Sequence, residues 1–391
     1  MRAILVILGV IISLISTSIV VAQELESTSC TVEAEESKDH YSKASALEDV
    51  LQKLVQSQVP GVSMAVYSEE GWWTGAAGYA KIETKLPMQS CHLMYLQSVA
   101  KTYMAVAILK LYEEGKIDLD APITRYLPAS ISQYISRAEE ISVKMLLNHT
   151  SGIPEYNYRP AYITKLLQEP EHQFLPADYL QYIQGKPLDF EPGSRYSYRN
   201  ANYEILALIG DAITGDHARY MEEVIDQPLG LHRTFYHGDH GYLNYPEIVN
   251  AYWDRHSDGL IENMSLLQRT NVSCMVGDDG IVTTPIEAVK FLRRLMEGRL
   301  LKPETLQLMM TWTMDRNGKP TYGLGLDYSL LSDHPAYGHS GGGIGAGCQL
   351  YYFPEKKVYF FIGINLGTVT ESPIHPPVEG LLNQIHQILL N

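Results

Sequence analysis

Ser98-Val99-Ala100-Lys101-Thr102-Tyr103-Met104-Ala105-Val106-Ala107-Ile108-Leu109-Lys110-Leu111-Tyr112-Glu113-Glu114-Gly115 is the stretch on which the fold turns. Across 99–114 the apolar side chains fall on nearly every helical face, and Gly115 follows as a stop, which predicts a helix buried inside the protein. Such a helix needs cover from other layers, and the two chain ends supply it. Residues 44–55 read as an amphipathic helix, followed by Gly61, the apolar run Val62-Ser63-Met64-Ala65-Val66-Tyr67 and a hairpin turn at Glu69-Glu70-Gly71. At the other end, 349–353 and 358–365 are β-rich runs joined by Pro354-Glu355-Lys356-Lys357, with a helical pattern over 378–390. Matching ends predict one sheet built from both termini with the middle inserted, an α/β (α+β) fold. The sheet part is expected over about 44–95 and 315–391, and a mostly helical insert over about 96–314, punctuated by Pro122, Pro128, Pro154, Pro160, Pro170 and Pro176.

The chain opens with Met1-Arg2 and an apolar run from Ala3 to Ile12 that reaches Ala22 before turning polar. This layout predicts a signal peptide over 1–22, cut near Ala22, and export to a periplasmic or extracellular space. An uncleaved anchor is the alternative, against which Ser13, Ser16, Thr17 and Ser18 interrupt the run. Residues 23–43 read as a flexible linker, and 44–391 as the folded domain. Loss of Arg2 with the leader takes the formal net charge from -15 to -16. So acidic a chain, without a Lys/Arg-rich run, disfavours nucleic acid as a partner. No integral membrane partner is expected. Cys30, Cys91, Cys274 and Cys348 lack metal or redox spacing, and the sequence leaves both disulfides and unpaired thiols open. His237-Gly238-Asp239-His240 has no third metal ligand nearby and reads as a surface turn, and Gly277-Asp278-Asp279-Gly280 reads as a solvated turn, the alternative being an approach to a cleft.

Three short segments carry candidate chemistry. Ser98 and Lys101, three apart on a helix, share a face, so the amine can sit beside the hydroxyl. A lysine desolvated by a buried helix has its pKa lowered and can take the serine proton; the alternative is a capped helix with an exposed lysine. Tyr198-Arg199-Asn200 follows the turn residues Glu191-Pro192-Gly193-Ser194. A phenol near an ammonium can relay a proton and an Asn amide can donate to a carbonyl; the alternative is a core tyrosine and a helix-capping Asn. Tyr337-Gly338-His339-Ser340-Gly341-Gly342-Gly343 leads into the last strands. A glycine-rich strand edge admits a substrate backbone and aims an N–H at an oxyanion; the alternative is a flexible loop with a surface histidine.

In that order and spacing the segments resemble the serine β-lactamase/DD-peptidase superfamily, whose class A members carry Ser-x-x-Lys, Ser-Asp-Asn and Lys-Thr-Gly. The Tyr-x-Asn form is similar to the class C β-lactamase branch, with its related carboxypeptidases, esterases and D-amino-acid peptidases. Further likeness lies in Glu113-Glu114-Gly115-Lys116-Ile117-Asp118, Leu146-Leu147-Asn148-His149-Thr150-Ser151-Gly152 and Pro228-Leu229-Gly230-Leu231. The resemblance implies a β-lactamase/transpeptidase-like fold: a central antiparallel sheet flanked by helices plus an all-helical region. It implies Ser98 as nucleophile, Lys101 and Tyr198 as proton carriers, and Asn200, His339, Ser340 and Gly341 as substrate contacts. Backbone N–H groups of Ser98 and Gly342 would form the oxyanion hole. The substrate expected is a small molecule or peptide: D-Ala-D-Ala-like peptides, related amides or small esters, or, alternatively, β-lactams. A non-catalytic sensor is a further alternative. No metal or organic cofactor is implied. His339 stands where class C β-lactamases carry lysine, which weakens the β-lactam reading, because histidine is only partly charged at neutrality.

Overall fold

The computed structural model describes residues 41–237 and 240–391. The expected leader, its cleavage point and the linker up to residue 40 lie outside the described residues. The helix expected over 44–55 is α1 (Ala44–Gln56). Strands β1 (Gly61–Ser68), β2 (Gly71–Lys81) and β3 (Leu86–Pro87) come from the early part of the chain. From the late part come β4 (Thr313–Met314), β5 (Pro320–Tyr322), β6 (Asp327–Leu331), β7 (His334–Gly342), β8 (Gly347–Phe353) and β9 (Val358–Ile364). They form one antiparallel sheet of nine strands in the order β3-β2-β1-β9-β8-β7-β6-β5-β4. The two ends of the chain meet at β1 and β9, with Val62 opposite Ile364 and Tyr67 opposite Tyr359.

Both faces of this sheet are covered, so β1 is apolar nearly throughout rather than alternating. Val62, Met64 and Val66 face one core with Leu47, Val50, Leu51 and Leu54 of α1. Those four fall at i, i+3, i+4 and i+7, a single helical stripe. The terminal helix α5 completes this layer with Ile385 and Leu389; we number the intervening long helices α2 (Ala100–Glu113), α3 (Ala201–Thr214) and α4 (Pro285–Met296), and α5 is His375–Leu390. Each leucine fully buried here stabilises by ~1.5–3 kcal/mol. The helix α5 starts three residues before the expected 378, because Pro376 and Pro377 occupy its first turn, where no N–H partner is needed.

Ala65 and Phe361 face the opposite core, which contains α2, α3 and α4. There Tyr103 of α2 stacks on Phe291 of α4 with ring centroids 3.5 Å apart. Buried from Ala100 to Leu109, α2 is the all-round apolar helix that its sequence predicts. It ends with Gly115 at φ +72°, Gly115 N bonding Tyr112 O and Lys116 N bonding Leu111 O, the paired closure that satisfies the last carbonyls. The region between β3 and β4 is mostly helical but also holds ladders of two or three residues. Met94–Tyr95 and Phe235–Tyr236 both pair with Ile281–Thr283, and Tyr252–Trp253 pairs with Glu262–Asn263. Strands that short carry no readable period in sequence. Cys274 and Cys348 are buried free thiols, which removes every disulfide pairing that uses either. No helix among the described residues is long and apolar enough to cross a membrane.

Candidate active site

Ser98 sits in a 3₁₀ turn, Gln97–Val99, that runs straight into α2. Gln97 has φ +50°, a strained value for a residue with a side chain, and the turn is held by Leu96 N on Ile281 O at 3.0 Å. The glycines of β7 make room for it. A Cβ at Gly341 would lie 2.3 Å from Leu96 O, and one at Gly343 would lie 2.1 Å from Gln97 Oε1. Glycine is needed here for close approach; the run to Gly342 is strand, and Gly343 and Gly345 lie in the turn that follows it. Gly343 N donates to Ala346 O at 3.0 Å. Because successive N–H groups along a strand alternate sides, Gly342 N–H points to the other edge. That edge is open, since β6 stops pairing opposite Gly338.

Lys101 Nζ lies 3.1 Å from Ser98 Oγ and donates to Asp278 O at 2.8 Å. The side chain is wholly buried, which rules out an exposed lysine on a capped helix. Burial lowers its pKa below the ordinary lysine value, while Asp278, Asp279, Glu155 and Glu204 pull the other way. The expected solvated turn at 277–280 is therefore corrected: Asp278 and Asp279 are 1% and 6% exposed. Gly277 allows the fold, with φ +76° and a would-be Cβ 2.1 Å from Tyr203 O. Glu204 of α3 is buried, with Asp278 and the backbone N–H of Val276 beside its carboxyl. Burial, then the charge of Asp278, push its pKa well up, so Glu204 keeps a proton to share with Asp278. Burial and Asp278 push Asp279 up to about 7.

The segment carrying Tyr198 and Asn200 is pinned from the loop after residue 147. Ser197 N bonds His149 O, Arg199 N bonds His149 Nδ1 at 3.2 Å, and Asn200 N bonds a Glu155 carboxylate oxygen. Because Nδ1 also accepts from Asn202 Nδ2 at 3.0 Å, the His149 proton sits on Nε2. These bonds aim Tyr198 at the lysine, whose Nζ lies 5.0 Å from the ring centroid. Burial raises the Tyr198 pKa well above 10, opposed by contact with Ser98, so the phenol is neutral until another group takes its proton. Asn200 lines the cleft beside Ser98, leading into α3 rather than capping it with its side chain.

His339 is not at the surface. It is buried, its Nδ1 bonds Ser340 O at 2.6 Å, and its Nε2 meets Tyr322 Oη at 2.9 Å. A carbonyl only accepts, so Nδ1 carries the proton and Tyr322 donates to Nε2. Burial and then Lys101 pull its pKa down to about 3. His339 is therefore uncharged at neutrality and stands behind Tyr198, ring centroids 6.0 Å apart, rather than in the cleft. Strand alternation turns Ser340 to the α5 side, where it lines a separate cavity with Ile362, Thr368 and His375. Gly342 and Gly343, with Ser98, Asn200 and Asp279, line the cleft, a space of 360 Å³ walled by Tyr158, Tyr162, Leu166, Trp253, Met275 and Ile344.

Sequence reasoning singled out Ser98, Lys101, Tyr198 and Asn200, which lie together; it gave no site role to His149, Glu155, Glu204 and Tyr322, and it set Asp278 and Asp279 by default in a solvated turn. Glu204 alone carried a signal, an acid inside the apolar run 201–209.

A buried amine against a serine hydroxyl, beside a phenol and an open strand edge, defines a serine acyl-transfer site on a sheet-and-helix scaffold. The chain belongs to the Beta-lactamase family, whose profile matches residues 47–377. It is similar to the human mitochondrial serine beta-lactamase-like protein, 24% identical over 384 residues, covering 75% of this chain and 68% of that one. PbpX of Bacillus subtilis is 26% identical over 266 residues, covering 68% of this chain and 61% of that one, so this chain spans less than two thirds of that relative. Among solved structures, a D-stereospecific amidohydrolase from Streptomyces has TM-score 0.73 at 26% identity, covering 83% of this chain and 94% of that one. The D-amino acid amidase of Ochrobactrum anthropi, complexed with L-phenylalanine amide, has TM-score 0.74 at 24% identity, covering 88% and 98%, a likeness of fold.

Proposed function

We propose that the protein is an exported serine hydrolase acting through a Ser98 acyl-enzyme on D-Ala-D-Ala-like peptides, related amides or small esters. The observation that carries this is the 3.1 Å contact between Ser98 Oγ and the buried Lys101 amine. Burial favours the neutral amine, which takes the hydroxyl proton as Oγ bonds to the carbonyl carbon. The negative charge on the carbonyl oxygen is met by N–H groups of Ser98 and Gly342. Tyr198, beside both groups, carries the proton to the leaving amine or alcohol as the C–N or C–O bond breaks. Water then attacks the ester, gives up its proton along the same path and frees the acid. The open edge at 339–342 suits an extended peptide-like substrate laid alongside as an added strand. The amidohydrolase and amidase neighbours support an amide substrate. A neutral His339 offers no cation for a substrate carboxylate and counts against β-lactams and, among the proposed substrates, favours amides and esters over peptides ending in a free carboxylate. Export rests on the apolar run at the amino end.

The test is mass spectrometry of Ser98 after exposure to a fluorophosphonate, a fluorescent penicillin, D-amino-acid amides and p-nitrophenyl esters. A mass increment on the Ser98 peptide, absent in Ser98→Ala, with turnover of amides or esters, supports the reading. Label surviving in Ser98→Ala removes Ser98 from the mechanism; rapid cephalosporin turnover makes the protein a β-lactamase; no adduct with any probe makes it a sensor.

A further inference from the structure

The cleft next to Ser98 holds unpaired buried acceptors and one unpaired buried donor, Gln97 Nε2. No Lys or Arg side chain lines it. Asp279 does, buried to 6% exposure, with Oδ1 accepting from Gly280 N at 2.6 Å and no protein donor on Oδ2. Asn157 and Asn271 line the same cleft, and the Oδ1 of each is buried without a partner. Unpaired buried acceptors are expensive, and two in one cavity beside the Asp279 carboxyl call for a ligand that brings several donors at once. An ammonium group brings three N–H donors and a positive charge.

We infer that Asp279, with Asn157 and Asn271, receives the free amine of an amino-acyl substrate, so that the enzyme selects unblocked aminoacyl amides or esters over N-acylated or anionic ones, which narrows the proposed range to amides and esters and away from D-Ala-D-Ala-like peptides. This rests on the reading that Ser98 attacks the acyl carbonyl in the same cleft. The rest of the wall suits a bulky apolar side chain on that acyl group, with Tyr158, Tyr162, Leu166, Trp253 and Met275 around it.

The test compares kcat/KM for D-phenylalanine p-nitroanilide and its N-acetyl derivative, in the native protein and in Asp279→Asn. The native protein is expected to favour the free amine by about 10- to 100-fold, the worth of a hydrogen bond to a charged group, and Asp279→Asn to lose most of that ratio. Equal rates on the two substrates in the native protein, or a variant that keeps the native ratio, overturns the inference. A second arm needs neither turnover nor a variant: calorimetry of the native protein with phenethylamine and with 3-phenylpropanoate. Tighter binding of the amine supports the ammonium site even if Ser98 acylates nothing, an outcome that would sink only the proposed activity. Equal binding, or preference for the carboxylate, overturns the site while leaving the Ser98 chemistry standing.

Discussion

The two faces of the nine-stranded sheet bury very different company. Toward α1 and α5 the interior is almost purely aliphatic and aromatic, with Leu47, Leu51, Met64, Phe360 and Leu389 in contact. Toward α2 and α3 the interior also holds Lys101, His149, Glu155, Glu204, Asp278, Asp279 and His339. Removing charged groups from water is unfavourable even when they are paired. The contrast teaches that one face supplies stability and the other spends it on chemistry. Substitutions on the two sides should therefore separate folding from turnover.

The largest separation is expected on the site face. Ser98→Ala should abolish the acyl-enzyme and Lys101→Met should lower kcat/KM by ~10³-fold or more, the scale of losing a nucleophile or its base. Thermal melting should show that Ser98→Ala, which leaves Lys101 and its bond to Asp278 O in place, is about as stable as the native chain. A large drop in melting temperature would break the comparison. The mirror experiment is Leu51→Ala on the other face. It should lose ~2–5 kcal/mol in urea unfolding and leave kcat/KM unchanged at temperatures where the protein is folded.

Glu204→Gln sharpens the contrast within the site face. The folded state holds the Glu204 carboxyl well above its ordinary 4.5, so the native protein binds more protons than the unfolded chain above that pH. Stability must then fall as pH rises from about 4.5, and Glu204→Gln should flatten that slope by up to one proton. An unchanged slope in pH-dependent urea midpoints would place the shared proton elsewhere. The smallest effect expected is on the acid side. His339 on one face and His386 on the other have pKa values pulled down to about 3 and about 4 by burial. The unfolded chain binds more protons below about 6.5, so stability should fall as pH drops from there toward 3. His386→Asn should remove part of that loss without changing the pH profile of turnover.

What the sequence made legible follows periodicity. The helices α1 and α2, the runs that became β1, β8 and β9, and the sharing of one sheet by both chain ends all rest on long, repeated apolar patterns. Ser98 and Lys101 were legible because three residues on a helix make one face. The carboxylates under Lys101 were not, since Gly-Asp-Asp-Gly has the composition of a surface turn and only the packing of Gly277 against Tyr203 O turns it inward. His149 and Glu155 were hidden for another reason: they act by bonding backbone N–H groups some 45 to 50 residues away, a relation with no local pattern. His339 was placed in the right strand, but its neutrality depends on Tyr322 and on burial.

The union of β1 with β9 also governs how the chain can be made. Val62 waits for Ile364, about 300 residues later, so the middle of the sheet closes only after β9 has been made. Contacts of such range are slow to form, and the unpaired edge of β1 is adhesive until they do. The helical region, whose partners are nearer in sequence, has time to assemble first. A chain truncated before β9 should therefore leave the β1 edge unpaired and aggregate, which the insoluble fraction on expression would show.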